Sequence, residues 1–114
     1  MRELGSPLMN ISGSADIIRE FGRLGFVVST IPVAKLSNDN LVYHQISCLP
    51  KYSIKQQFRL ADMALQSLGF STSEITLDVG DRAMMRRAYI KAVHQGLYVT
   101  YHIDLGLLEI YMGA

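Results

Sequence analysis

The sequence predicts an α+β domain: a two-layer sandwich with three helices on one face of a mixed five-stranded sheet, in the order α-β-β-α-β-α-β-β. Three observations carry this expectation. Apolar residues recur at helical spacing in three segments. Between those segments lie β-branched or strictly alternating runs. A glycine followed by an apolar residue marks each helix-to-strand junction, in RLGFVV, SLGFST and HQGLYV. Strands joined by short turns pair antiparallel, and strands joined through a helix lie parallel, so a mixed sheet is expected. The half-polar alternation of the later strands leaves one sheet face uncovered.

Residues 1–13 read as a flexible N-terminal arm ahead of a single domain over 14–114, because Gly, Ser, Pro and Asn recur there without a sustained period. The first helix begins after a capping Ser14, turns Ile17, Ile18, Phe21 and Leu24 to one side, and stops at Gly25. FVVSTIPVA follows as a β-branched strand. Pro32 cannot donate to a ladder, so this strand lies at an edge and ends or bulges near that residue. LVYHQISCL returns as its hairpin partner. The second helix, from the Ser53 cap to Gly69, gathers Ile54, Phe58, Leu60, Ala61, Ala64, Leu65 and Leu68 into one arc.

EITLDV then alternates, with Ile75, Leu77 and Val79 expected inward and Glu74, Thr76 and Asp78 outward. DRAMMRRAYIKAVHQG, residues 81–96, is expected as a third helix. Met84, Met85, Ala88, Tyr89, Ala92 and Val93 form its inner arc, Ala83, Arg86, Arg87, Ile90, Lys91 and His94 its outer arc, and Arg82 sits at the border. LYVTYHID alternates again, with Leu97, Val99, Tyr101 and Ile103 inward, and LLEIYM closes the sheet.

Composition bounds the function. The 114 residues are 49% apolar and 18% charged, a globular balance. No apolar run is long enough to span a bilayer. No charged-then-apolar leader opens the sequence, and Cys48 is the sole cysteine, so the cytoplasm or another reducing intracellular compartment is expected. Net charge is +1, yet residues 81–96 carry four basic residues against Asp81. That asymmetry nominates Arg82, Arg86, Arg87, Lys91 and His94 as an anion- or partner-binding set. The uncovered sheet face nominates Tyr98, Thr100, His102, Asp104 and Tyr111, with Glu109, Tyr43, Gln45 and Ser47 beside them. His44, His94 and His102 have no metal-ligand spacing, phosphate-loop motifs are missing, and Cys48 belongs to the inward set of its strand. No metal, cofactor or catalytic residue is assigned. The expected function is that of a small non-enzymatic binding or regulatory protein acting through protein–protein contacts and self-associating. A nucleic-acid-binding module using the basic helix and the tyrosine-bearing face is the alternative, followed by a small-ligand-binding or catalytic domain.

Overall fold

The computed structural model describes residues 15–29, 32, 34–36, 41–48, 51–78 and 86–112. Among them run helix α1 (Ala15–Arg23), strands β1 (Phe26–Val28), β2 (Ala34–Leu36) and β3 (Leu41–Cys48), and helix α2 (Ile54–Ser67). Strands β4 (Ser71–Asp78), β5 (Arg86–His94), β6 (Leu97–His102) and β7 (Leu107–Met112) follow. Six strands lie side by side in the order β1-β3-β7-β6-β5-β4, and β2 shares the outer edge of β3 with β1. Every pairing is antiparallel. The class is α+β, with two helices on one face of an antiparallel sheet.

The α2 boundary follows from its cap. The Gln56 amide donates to the Ser53 hydroxyl at 3.2 Å, and the Ser53 amide donates to the Gln56 side chain at 2.9 Å. This capping box satisfies two amides that the helix itself leaves without partners. Phe58, Ala61, Ala64 and Leu65 turn to the sheet and are buried, together with Ile17 and Phe21 of α1. Glu20 binds Arg23 and accepts from Ser67 of α2, which ties the two helices at the surface. The Arg23 hydrogen bond holds the Glu20 carboxyl below its ordinary range.

Under the helices, Phe21, Phe26 and Tyr101 meet edge to face, with ring centroids 5.1 to 5.8 Å apart. The Tyr101 hydroxyl donates to Gln57 at 2.6 Å, so this buried phenol keeps its hydrogen bond. His44 is 1% exposed, and its Nδ1–H donates to the Ser29 carbonyl at 2.6 Å. Gly25 turns the chain from α1 into β1 at φ +101°. A β-carbon there would lie 2.6 Å from the Tyr52 hydroxyl, which itself donates to the Leu24 carbonyl. Glycine is the residue that fits both the backbone and the space.

The expected edge strand interrupted near Pro32 is present: β1 and β2 fall on either side of that residue and pair with different parts of β3. Three expectations are corrected. The segment expected as a third helix contains strand β5, while residues 79–85, with Arg82, Met84 and Met85, lie outside the described residues. The crossover through α2 joins β3 to β4, which run in the same direction but are separated by three strands, so no two neighbouring strands pair parallel; the sheet is not mixed and has more than five strands. Gly96 does not stop a helix. It sits with Gln95 between His94 and Leu97, both at positive φ (49° and 83°), as the two-residue turn of a tight hairpin.

The third correction concerns which side residues face. Ile90, expected on an outer helical arc, is 0% exposed under the helix layer, flanked by buried Ala88 and Ala92. Tyr89 and Val93 point to the uncovered face instead. On β4 the sides are reversed from expectation. Directly opposite residues share a face, so Thr72, Glu74 and Thr76, opposite Ala92, Ile90 and Ala88, lie on the helix side. Ile75, opposite Tyr89, lies on the uncovered side. β4 is an edge strand of the sheet. Its polar side meets the polar flank of α2, where Thr72 binds Asp62 and Glu74 lines a cleft with Lys55 and Arg59.

Candidate functional site

The antiparallel register orders the uncovered face into rows running across the strands. One row runs Ser71, Val93, Tyr98, Tyr111, Leu41 from β4 to β3. The next runs Ser73, Lys91, Thr100, Glu109, Tyr43, and the third runs Ile75, Tyr89, His102, Leu107, Gln45. Four of the six tyrosines of the chain stand on this face. Val93, Tyr98 and Tyr111 are well exposed. The Tyr98 and Tyr111 rings lie 6.0 Å apart across β6 and β7.

A polar network holds the end of the face nearest the β6–β7 turn. Arg87 Nε donates to Asp104 Oδ2 at 2.8 Å. Arg87 Nη2 lies 3.4 Å from His102 Nδ1, and His102 Nε2 lies 2.9 Å from Glu109 Oε1. A guanidinium only donates, so Nδ1 accepts and the ring proton sits on Nε2, donating to Glu109. The Arg87 guanidinium also lies over the Tyr89 ring, 5.4 Å from its centroid, and Tyr89 leans on His102 at 5.8 Å. The Arg87 and Asp104 charges therefore pair within the protein, while Glu109, bound by a neutral ring, keeps its own charge. Lys91 differs: it is exposed, and among the described residues it makes no ion pair.

Beside Lys91 the face is hollowed. A shallow groove of about 410 Å³ is lined by Ser71, Ser73, Ile75, Lys91, Val93 and Tyr98. Its floor is apolar, and its rim carries one cation and three hydroxyls.

The two nominated residue sets thus fare differently. Tyr98, Thr100, His102 and Tyr111 stand together on the open face, and Asp104 joins them from the β6–β7 turn through Arg87. Of the basic set, Arg87 and Lys91 share that face, but Arg87 is paired with Asp104. His94 lies on the helix side, half-buried, with its ring 5.5 Å from Phe70. Arg82 and the Arg86 side chain lie outside the described residues. Thr76 is not on the open face, and nothing is described of the Asp78 side chain. Sequence reasoning missed Tyr89, Val93 and Ile75; alternation through AYIKAV was the signal that could have placed the first two.

Cys48 sits on the opposite side of the sheet, half-buried, and burial pushes its thiol up from the ordinary range. Among the described residues no three His, Cys, Asp or Glu side chains cluster so as to hold a metal ion, and no helix is long and apolar enough to cross a membrane. Comparison with protein-family models, with curated proteins and with solved structures found no match.

Proposed function

We propose that the protein is a small non-enzymatic binding protein that works through protein–protein contacts, with the open sheet face as its contact surface. The observation that carries this reading is the make-up of that face. It presents exposed tyrosines and a valine around a groove, and its charges are largely neutralised by one another. Tyrosine, methionine and arginine are enriched at protein interfaces, and charge is depleted at their centres. A polyanion partner would instead need unpaired cations gathered on one surface. Among the described residues of this face Arg87 is paired, and Lys91 is the one cation left without an acid.

The test uses Val93→Asp with Tyr98→Asp. Both side chains point to solvent, so thermal stability is expected to change little. Concentration-dependent association in light scattering is expected of the parent protein and is expected to disappear in the variant. Titration with single-stranded and duplex oligonucleotides at low salt is expected to show no binding. Binding that weakens steeply with salt overturns the reading in favour of nucleic acid.

A further inference from the structure

Resting on that reading, we infer that the partner on the open face is a second copy of the chain, packed face to face about a two-fold axis that runs along β6. The face is laid out as its own complement across that strand. On one side, β5 carries the cation Lys91; on the other, β7 carries the anion Glu109, and both belong to the row that crosses Thr100. A two-fold axis along β6 exchanges the two sides without changing the row. Each Lys91 then faces Glu109 of the second copy, and two such pairs form per dimer. Glu109 Oε1 is taken by His102, and Oε2 remains for the lysine. Sheets pack about 10 Å apart, a gap that a lysine and a glutamate bridge together.

The same operation fits shape to shape. It places Tyr111 of the second copy over Val93, where the groove bounded by Ser71, Val93 and Tyr98 opens. The protruding ring on the β7 side thus meets the hollow on the β5 side, and Tyr98 meets its own copy at the axis.

Two other arrangements fit worse. An axis across the strands sets β5 against β5. When it crosses the Lys91 row, each Lys91 meets its own copy. When it crosses between rows, Lys91 faces Tyr89 or Val93, and Glu109 faces Leu107 or Tyr111. Edge-to-edge pairing through β4 brings together two strands that each carry Glu74 and Asp78 and no basic residue; acidic residues on an edge oppose such pairing.

The experiment is a charge swap read by sedimentation or light scattering up to high micromolar protein. Lys91→Glu alone and Glu109→Lys alone are each expected to weaken the dimer by roughly tenfold or more, because each sets like charges opposite one another. Mixing the two variants is expected to restore association, since a heterodimer pairs opposite charges at both positions. Restoration also shows that both variants are folded. Unchanged association in both single variants, combined with loss in the Val93→Asp, Tyr98→Asp variant, overturns this geometry and leaves the contact surface standing. A parent protein that stays monomeric overturns self-association and leaves the face to a different protein partner.

Discussion

At the scale of single residues, the buried Tyr101 hydroxyl contributes to the alkaline behaviour of the protein. Burial raises its pKa well above the ordinary 10.0, with the neighbouring Cys48 adding to the effect, and burial likewise raises Cys48 above its ordinary 9.0. In the unfolded chain both groups lose their protons near those ordinary values, while the native protein keeps them. Stability is therefore complete below about pH 9 and falls as pH rises beyond it, approaching about 1.4 kcal/mol per pH unit for a group ionised only in the unfolded state. Urea denaturation across this range is expected to show that decline. In Tyr101→Phe, which lacks the phenol, the decline is expected to be shallower, although stability at neutral pH drops with the loss of the Gln57 hydrogen bond. An equally steep alkaline limb in the variant would assign the decline to other groups.

At the scale of elements, β5 is where local pattern and structure part. Ala88 and Ala92 are four residues apart, which is close to one helical turn and also two strand repeats, so they face inward on either reading. Ile90 and Val93 separate the two. A helix sends Ile90 out and Val93 in; the strand does the reverse. Ile90→Ala is expected to cost about 2–5 kcal/mol, as for a cavity in a packed core, and Val93→Ala less than about 0.5 kcal/mol, both read from urea midpoints. The turn after β5 offers a second test. Gln95 takes a left-handed conformation that costs a non-glycine residue roughly 1 kcal/mol, and asparagine tolerates it better. Gln95→Asn is expected to gain about 0.5 kcal/mol and to raise the melting temperature. A lowered melting temperature would count against this turn geometry.

The same comparison shows what the sequence made legible. Helix α2 was readable because its cap and its apolar arc agree. Strand β6 was readable because Leu97, Val99 and Tyr101 alternate with Tyr98, Thr100 and His102, and that alternation delivered most of the open face. The segment before it was misread because Ala, Met and Arg favour helices, and because a glycine serves equally as a helix stop and as half of a hairpin turn. The orientation of β4 was hidden for another reason. Alternation assigns two sides but does not say which one the helices cover, and at the sheet edge the polar side can face the flank of a helix.

For the molecule as a whole, replacing a helix by a strand changes the meaning of the basic segment. Four cations on one helix would have formed a single charged surface. On a strand, consecutive residues alternate between faces, so Arg87 and Lys91 share the open side with the acids of neighbouring elements, and Arg87 finds Asp104. The open face becomes an aromatic surface of nearly balanced charge.

The seam between β3 and β7 has a consequence for biosynthesis. His44 pairs opposite Leu108, 64 positions later in the chain. A ribosome adding about 5–20 residues per second takes at least several seconds to cover that interval. For that time β3, with Ile46 and His44 destined for the interior, has no β7 to pair with. The later strands fold back as successive hairpins, each available to its neighbour as soon as it emerges. The nascent chain therefore carries its most vulnerable edge in the half made first, and the closing strand arrives only after every other described strand has been synthesised.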